Sequence, residues 1–467
     1  MEFGIILIAP LVAALIPLVV RKSRGMIEAG TLIAIILEVI GVLRLGLDVA
    51  SGKTVALSSY LALDALGTLF AGVVALVGCV AAVYAIGYLR EETKQGNIGM
   101  SRVRQFYLLF NLFLFSMFAA VMTTNLVLMW IAIEATTLST VFLISFYGRP
   151  NTIEAAWKFL IINSVALLLG FLGTLLFVST AGNAAIDPQI LKIAFVLVII
   201  GFGTKTGFVP LHTWLPDAHG MAPAPISSLL SGALLNVSLY ALLRFKMLID
   251  PVVGEYFSRS LFLTFGILSV VVAAFLIFNQ RNYKRLLAYS SIEHMGIMAL
   301  GFATGGAAIG VALLHMIYHA ITKSLLFLAS GTIVLKYKTS KIAGVHALSR
   351  VLPLTFPLFF FGLLSITGVP PFGIFYTEFS ILAFLMADNP VIAGVMLFSL
   401  TLVFVGVVKH ITSMMSGERP DTVTSGEFNA WTIVPIGFLA LLLLALSVSV
   451  PSIIDTLLSG AAQQLDL

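Results

Sequence analysis

Several ionisable side chains lie inside long apolar stretches of the sequence. Glu134 is at the middle of the stretch 125–147, and Lys205 lies beside a glycine-rich interruption of the stretch 190–215. An ionisable group at the centre of a bilayer costs about 2.5–3.5 kcal/mol on insertion scales, so it is retained where it is paired, hydrated or functional. A carboxylate and an amine in such positions can pass a proton, because burial and neighbouring charges move their pKa values.

A second group of ionisable residues has helical spacing. His315, His319 and Lys323 follow one another at four-residue intervals, which places them on one face of a helix at steps of about 6 Å. Two histidines at i and i+4 can also bind a metal, but no Asp, Glu or Cys lies nearby in the sequence as a third ligand. We therefore expect no metal site and interpret the stripe as part of a proton pathway.

Further ionisable residues allow two interpretations of the whole set. Glu378 follows an interruption near residue 370, Glu293 and His294 are adjacent, and Lys409 lies further along the chain. The set is either a proton wire across the midplane or a group of buried ion pairs that only fix helix packing. We favour the wire, because the charges recur over several spans and two of these spans are interrupted. Glu38, by contrast, lies toward a span margin, where we expect it to snorkel.

The polar, proline-rich segment after the first interruption contains His212, Asp217 and His219. One interpretation is a cap at the membrane interface, with its tryptophan at headgroup level. The other is a proton entrance or a link to a neighbouring span, and we weigh the two interpretations equally.

The composition restricts what can position these residues. The chain has 467 residues, of which 26 are Lys or Arg and 21 are Asp or Glu; hydrophobic residues make up 60%. These charges are too few to cover the surface of a soluble protein of this size, which excludes a soluble enzyme, a disordered chain and a nucleic-acid binder. With Cys79 as the single cysteine, the chain cannot form an internal disulfide or a cysteine-ligated cluster.

The pattern predicts an all-α polytopic membrane protein with about 14 transmembrane helices in one membrane domain, 1–467. We interpret the first stretch as a retained span and not as a signal peptide. The predicted spans are 3–20, 27–47, 61–89, 105–123, 125–147, 154–180, 190–215, 225–248, 259–279, 285–304, 306–336, 353–387, 391–414 and 431–450.

The distribution of basic residues predicts the orientation. Sixteen Lys and Arg residues lie in loops after odd-numbered spans, and six lie in the loops and ends on the other side. The positive-inside rule then places the odd loops in the cytoplasm and both termini on the outer side of a bacterial or archaeal cytoplasmic membrane.

Spans 7 and 12 are broken by helix-incompatible residues: Pro210 interrupts the first, and Pro370 with Pro371 interrupts the second. Broken helices occur in membranes where protein or a wet cavity satisfies the freed backbone groups. Because the two breaks are five spans apart, repeats with that offset have opposite orientations. We predict inverted five-helix repeats of spans 4–8 and 9–13, in 105–248 and 259–414, flanked by spans 1–3 (1–104) and span 14 (431–450).

Four segments together resemble one protein family, the antiporter-like subunits of respiratory complex I. The family includes the large subunits of multi-subunit cation/proton antiporters and the membrane arms of energy-converting NiFe hydrogenases and formate hydrogenlyases. The matching segments are Lys205 with Gly207–His219, Lys284–Ser290, His315–Leu328, and Gly368–Gly373 with Glu378.

The resemblance implies a 14-span fold with inverted repeats and assigns roles to several residues. Glu134 and Lys205 would form the first pair, the stripe at 315–323 the central connection, and Glu378 the terminal site. Many relatives carry a lysine in span 8 where this chain has Asn236, which holds no proton charge, so water would have to bridge there. The segment around Glu293 resembles the hydrogenase and formate hydrogenlyase branch.

The expected function is that of an ion-pumping subunit of a redox-driven complex of the hydrogenase, formate hydrogenlyase or complex I type. It would move protons or exchange Na⁺ for H⁺ and would not be catalytic alone. We expect no cofactor in this chain; partner subunits, including a peripheral redox arm, would carry iron–sulfur clusters and NiFe or other redox centres. The alternatives are a subunit of a stand-alone Na⁺/H⁺ antiporter, a passive membrane scaffold and an independent solute transporter.

Overall fold

The computed structural model describes residues 2–180 and 187–466, which are almost entirely helical. The helices are α1 (Glu2–Val19), α2 (Arg24–Ala50), α3 (Ala65–Lys94), α4 (Met100–Met122), α5 (Leu126–Ile144), α6 (Pro150–Thr180), α7 (Pro188–Thr206), α8 (Trp214–Met221), α9 (Ala224–Leu229), α10 (Leu235–Val253), α11 (Glu255–Phe278), α12 (Tyr283–Thr304), α13 (Ala307–Tyr337), α14 (Leu348–Val351), α15 (Thr355–Ile366), α16 (Gly373–Asp388), α17 (Pro390–Met415), α18 (Ala430–Val448) and α19 (Ser452–Leu465).

The helical spans agree with the sequence prediction. Within the described residues, 13 helical segments are long and apolar enough to cross a membrane, with α9 and α10 forming one of them. The predicted span 12 is divided between α15 and α16, each too short to be counted among the 13. The prediction of an all-α membrane fold is confirmed, whereas the inverted relation between the two repeats and the domain boundaries remain predictions.

The distribution of polar residues is the reverse of that in a soluble protein. Helices α12 and α13 contain many polar and ionisable side chains and are almost completely buried, whereas α1, α6 and α17 expose large apolar side chains such as Leu168 and Phe398. Lipid tails are as apolar as leucine, so exposing such residues to lipid carries no penalty, while polar residues need partners inside the bundle. The central helices therefore hold most of the buried ionisable side chains in place.

Helices of the core approach each other closely at glycine residues. Gly201 of α7 faces Gly170 of α6, and an added methyl group at Gly201 would lie 2.6 Å from the Gly170 Cα atom. Small residues at such crossings allow two backbones to approach closely, which increases van der Waals contact where no hydrophobic driving force exists.

Both predicted helix breaks are present. Helix α7 ends at Thr206, and Gly207 follows with a left-handed φ of 92°, a conformation that glycine adopts without a Cβ clash. The predicted end of span 7 at residue 215 is therefore too late. In span 12, α15 ends at Ile366, Gly368 has φ 63°, and α16 begins at Gly373.

Several elements are not predicted by the hydropathy pattern, because they are short or amphipathic. A hairpin of β1 (Val55–Ser58) and β2 (Leu61–Leu63) precedes α3. A π-helical turn, Leu230–Leu234, joins α9 to α10. Helix α19 packs on α3 and α13 beyond the last predicted span.

The expectation that Glu38 snorkels is wrong. It lies in the middle of α2, has no exposed surface, and neither carboxylate oxygen has a hydrogen-bond partner in the part of the chain that the structure describes. Residue 38 lies near the middle both of the predicted stretch 27–47 and of α2, so its carboxylate is too far from either end of the span to reach a headgroup.

Candidate functional site

The first part of the site surrounds Lys205, in the last turn of α7 before the break. The side chain is completely buried. Its Nζ atom donates a hydrogen bond to Oγ1 of Thr137 in α5 and lies 5.3 Å from the centre of the Phe159 ring. A hydroxyl and an aromatic face therefore surround this ammonium group.

Glu134 is one turn from Thr137 on the same helix and is only partly buried. Its Oε1 atom accepts a 2.8 Å hydrogen bond from Ser164 Oγ, and its Oε2 atom lies 3.5 Å from Thr137 Oγ1. The structure thus brings together Glu134 and Lys205, as predicted, but joins them through the Thr137 hydroxyl and not by direct contact.

The segment after the first break divides into a surface part and a buried part. Asp217 pairs with Lys158 at 3.3 Å and with Arg285 at 3.2 Å near the surface. His212 is largely buried and edge-on to a tyrosine ring, while His219 is completely buried and stacks on Phe327 at a centroid distance of 4.6 Å. The tryptophan is not at headgroup level, because Trp214 is completely buried and its Nε1 atom donates to the Thr204 carbonyl at 2.9 Å. A proton entrance or a link to a neighbouring span remains a prediction.

Asn236 lies in the first turn of α10, directly after the π-helical turn. Its Nδ2 atom donates to the Gly232 carbonyl at 2.8 Å, and its Oδ1 atom has no partner among the described residues. The neighbouring Ser231 forms a 2.7 Å hydrogen bond with Ser291 of α12. Near the π-helical turn, span 8 therefore presents the hydroxyl group of Ser231 and the amide group of Asn236, and its charged residues lie further along α10.

Lys323 is the central cation and is completely buried in α13. Its Nζ atom donates to the Leu287 carbonyl at 3.0 Å and to the Ser290 hydroxyl. Glu293 and His319 are buried close by; Glu293 Oε2 and both ring nitrogens of His319 have no hydrogen-bond partner in the described chain. Carbonyl and hydroxyl groups therefore surround this ammonium, and the role of the stripe as a central connection remains a prediction.

The last part of the site is a row of imidazoles. His294 Nδ1 lies 2.9 Å from His315 Nε2, a hydrogen-bond distance. The outer nitrogens face Ile366 and Thr377: His294 Nε2 is 3.0 Å from the Ile366 carbonyl oxygen, and His315 Nδ1 is 2.8 Å from Thr377 Oγ1. Because α15 ends at Ile366, the helix break frees the carbonyl that faces His294.

Glu378 ends the row from α16. It is 7% exposed, and its Oε1 atom lies 3.8 Å from His294 Nδ1. The carboxylate fills the space beside Gly368, where a side chain would collide with it. The second helix break therefore positions both the carbonyl at one end of the imidazole row and the carboxylate beside it.

His294, His315 and Glu378 also offer three ligand atoms within 4.8 Å of one another, a set that could hold a metal ion. His294 of α12 and Glu378 of α16 are distant from His315 in the sequence, and the fold brings them beside it. The 2.9 Å separation of the two ring nitrogens is shorter than two ligands of one zinc ion would adopt at about 2.0–2.1 Å each in tetrahedral geometry. The geometry therefore favours a shared proton.

One candidate residue is not brought to the site. Lys409 is exposed on α17, with Nζ 4.9 Å from the centre of the Phe278 ring. Phe278 is the last residue of α11, so this lysine lies at the surface edge of the contact between α11 and α17. Its role as a possible relay or support residue remains a prediction, with no contact to the other candidate residues in the part of the chain that the structure describes.

Four residues with hydroxyl groups belong to the site and are not predicted from the sequence. Thr137, Ser164, Ser290 and Thr377 each contact an ionisable group of the site. Such residues are common in membrane helices, where they usually bond their own backbone. The available signal was position: Thr137 is one turn from Glu134 within the same span.

Comparison with known proteins now identifies the family. The model described as NADH:quinone oxidoreductase/Mrp antiporter, TM, matches residues 123–405, most of the chain and all six residues of the main relay prediction. The chain belongs to this family. It is a multi-pass, antiporter-like membrane subunit, as the sequence resemblance implied.

Individual members of the NADH:quinone oxidoreductase/Mrp antiporter family agree with this assignment. The chain is 37% identical over 379 residues to the hydrogenase-4 component F homolog of Methylacidiphilum infernorum (isolate V4), covering 77% of this chain and 80% of that protein. It is 32% identical over 319 residues to NAD(P)H-quinone oxidoreductase chain 4 3 of Picosynechococcus sp., covering 66% of this chain and 58% of that protein.

Solved structures share the family fold over the full chain. A chain of the membrane-bound sulfane sulfur reductase, an archaeal respiratory membrane complex, has a TM-score of 0.89 at 23% identity, covering 100% of this chain and 98% of that one. A chain of the Mrp complex from Dietzia sp. DQ12-45-1b has a TM-score of 0.88 at 19% identity, covering 100% and 97%. Both neighbours are parts of multi-subunit membrane complexes.

Proposed function

We propose that this chain moves protons, or exchanges Na⁺ for H⁺, as a non-redox subunit of a redox-driven membrane complex. The observation on which the proposal rests is the buried polar row from Glu134 through Lys205 and Lys323 to Glu378, whose cations contact hydroxyl and carbonyl oxygens and are not closed into ion pairs. The relative named as a hydrogenase-4 component favours a hydrogenase or formate hydrogenlyase type over a complex I type.

In this proposal Lys205 is the proton store of the first half. The Thr137 hydroxyl can accept from the ammonium and donate to Glu134, so it connects the two groups without fixing them in contact. A proton on Lys205 is then stabilised when Glu134 is ionised and released when the pair is disturbed. Such a group changes charge in response to a movement at its neighbour.

The connection through span 8 requires water. His219, Asn236 and His319 are buried and have nitrogen or oxygen atoms without protein partners in the described chain. Buried polar groups are almost always hydrogen-bonded, and buried water commonly supplies the missing partner. Water between these residues would join Lys205 to Lys323 although Asn236 carries no proton charge.

A polar cavity of about 280 Å³ is the proposed entrance. Glu92, Lys284 and Lys338 are among its lining residues, and Lys284 Nζ donates to the Ala222 carbonyl at 2.7 Å. The cavity lies among the loops after odd-numbered spans, which the positive-inside rule places in the cytoplasm, so both termini would be outside a cytoplasmic membrane. Next to it, α8 carries His219 into the interior.

The driving energy would come from partner subunits. Moving one charge against 100 mV costs about 2.3 kcal/mol, and proton relays do not generate that energy themselves. In the proposed complex, neighbouring membrane subunits transmit energy from a peripheral redox arm with iron–sulfur clusters and NiFe or other redox centres. A second candidate, a stand-alone Na⁺/H⁺ antiporter subunit, is favoured by the Mrp branch of the family and would be driven by an ion gradient.

The test is a comparison of Lys205→Met with Lys409→Met in the purified complex reconstituted in vesicles. Lys205→Met should lower the rate of proton transport on the order of 10²-fold, with normal assembly, while the exposed control Lys409→Met transports normally. Full transport by Lys205→Met would overturn the proposal. Transport that proceeds under a Na⁺ gradient, without an electron donor, would select the antiporter candidate.

A further inference from the structure

The hydrogen bonds around the imidazole row have a direction. A backbone carbonyl can only accept, so the Ile366 oxygen requires a proton on Nε2 of His294. A neutral imidazole has one N–H group, and Nδ1 of His294 must then be an acceptor. The facing Nε2 of His315, 2.9 Å away, must donate to it.

The hydrogen-bond donor at the other end of the row, at His315, is determined in the same way. If the His315 ring is neutral and donates through Nε2, its Nδ1 atom is an acceptor. The only hydrogen-bond partner of that atom in the described residues is Thr377 Oγ1, at 2.8 Å. In the neutral state the hydroxyl of Thr377 therefore donates to His315, and the row runs from Thr377 to Ile366 in one direction.

The Thr377 hydroxyl also has a second acceptor. Its Oγ1 atom lies 3.0 Å from the Ile374 carbonyl and 3.2 Å from the Gly373 carbonyl of its own helix. Turning the O–H bond toward these carbonyls leaves an oxygen lone pair facing His315, which then requires a proton on Nδ1. The imidazole row would in that case hold one proton more, with every hydrogen bond still satisfied.

We propose that Thr377 is a positioning residue that switches between donor and acceptor and thereby gates the uptake of one proton by the His294–His315 pair. Uptake forms one N–H bond at His315 Nδ1 and breaks one O–H bond in the proton donor, a hydronium ion that is left as water; the Thr377 O–H bond stays intact and only changes its acceptor. This inference rests on the proposed function and deepens it, since it names the residue that controls proton loading at the end of the relay.

Titratable groups of α12, α13 and α16 lie close to this proton. Glu378 of α16 lies 3.8 Å from His294 Nδ1, Glu293 is adjacent in α12, and the His319 ring of α13 is 5.4 Å from the His294 ring. Lys323 lies one further turn along α13. The added positive charge is therefore next to Glu378, which balances it, and its loading competes with a charged Lys323.

The transport test uses three variants in the reconstituted complex. Thr377→Val keeps the shape and removes the hydroxyl, and should lower proton transport about tenfold, because either state leaves His315 Nδ1 without a partner. Thr377→Ser keeps the hydroxyl and should retain transport. Thr174→Val is the matched control, since Thr174 is also buried and, among the described residues, its hydroxyl bonds only a carbonyl of its own helix, at 2.8 Å. Equal transport by Thr377→Val and Thr377→Ser would overturn the inference.

A spectroscopic test measures the protonation of the ring nitrogens of His294 and His315 directly. With ¹⁵N-histidine in the chain, solid-state NMR of the complex in bilayers should show His315 unprotonated at Nδ1 at high pH and protonated there as the pH falls, with His294 Nε2 protonated throughout. An unprotonated His294 Nε2, or a His315 ring that never changes, would contradict the inference. If Lys205→Met abolishes transport and Thr377→Val does not, only this inference fails; if neither changes transport, the proposed function fails as well.

Discussion

Two sets of charges in this molecule are arranged in opposite ways. Near the ends of the spans, cations contact carboxylates directly: Arg244 with Asp64 at 2.6 Å and Lys246 with Asp250 at 2.5 Å. In the interior row, the ammonium groups of Lys205 and Lys323 instead contact hydroxyl and carbonyl oxygens. Glu134 meets Lys205 only through the Thr137 hydroxyl. The first set has the form of fixed structural pairs, and the second does not.

This difference separates a passive scaffold from a relay. A buried pair in direct contact is strongly biased to its doubly charged state, because removing one charge leaves the other uncompensated. Groups joined through hydroxyls and imidazoles keep several protonation states closer in free energy, so that a distant event can shift their populations. If the interior charges only held helices together, we would expect them to resemble the pairs at the span ends.

The largest expected effect is at the end of the interior row. Glu378→Gln keeps the shape beside Gly368 and removes the titratable group, so proton transport should fall on the order of 10²-fold with little change in thermal stability. Proton transport and thermal unfolding of the same complex preparation test this expectation. Glu154→Gln, an exposed carboxylate paired with Lys158 at 2.7 Å, is the control and should leave both unchanged. A stability loss without a transport loss would assign Glu378 to the structural set.

The next effect concerns the ion pairs near the span ends, where a substitution should lower stability and leave proton transport unchanged. Lys246 and Asp250 are both almost completely buried, so Lys246→Met leaves an unpaired buried carboxylate and should lower the free energy of unfolding by about 3–5 kcal/mol. The double variant with Asp250→Leu should recover most of that loss. Proton transport per folded complex should stay normal. A large transport defect in the stable double variant would show that this pair also belongs to the relay.

The sequence predicted the spans and the interior row because the bilayer imposes a simple rule. Apolar stretches of sufficient length become helices, and ionisable residues within them are rare enough to be noticed. Both helix breaks are also predictable, because prolines and glycines that disrupt a helix are rare enough within an apolar stretch to be noticed. Glu134, Lys205, His315 and Glu378 were therefore identified without any structure.

What the sequence missed depends on contacts between distant segments. The hydroxyls of Thr137 and Thr377 have no compositional signal, and their roles appear only when α5 meets α7 and α13 meets α16. Lys409 lies at the surface for a related reason, whereas Glu38 is central already in the predicted stretch 27–47. Which face of a helix meets lipid, and how far a helix extends past its apolar stretch, are decided by packing and not by the local sequence.

A smaller effect should follow from removing the hydroxyl between the first pair. Thr137→Val leaves the Lys205 ammonium without its hydrogen bond, and we expect proton transport to fall about tenfold, since a hydrogen bond to a charged group contributes about 1.5–3 kcal/mol. Thr137→Ser should transport normally. If Thr137→Val also transports normally, Lys205 and Glu134 interact without the hydroxyl, and the contrast between the two sets of charges is weaker than proposed.

The smallest effect is a pH dependence of stability at the Asp64–Arg244 pair. Burial acts to raise the pKa of Asp64, but the hydrogen bonds and charge of Arg244, together with the Gly67 N–H at 2.8 Å, outweigh it and hold the pKa below its ordinary value. Because this pKa is lower in the folded state, the contribution to stability is complete above the pKa of the unfolded chain and is lost as the pH falls through the folded pKa.

Asp64→Asn should therefore cost about 1 kcal/mol of unfolding free energy at neutral pH, the value expected for a partly exposed pair. The difference from wild type should shrink below about pH 4, where an ordinary aspartate becomes protonated. Thermal unfolding at a series of pH values measures this, and proton transport by Asp64→Asn should be unchanged. A stability difference that stays constant to low pH would mean that Asp64 acts through its cap on α3 alone, and a loss of transport would place it among the mobile charges.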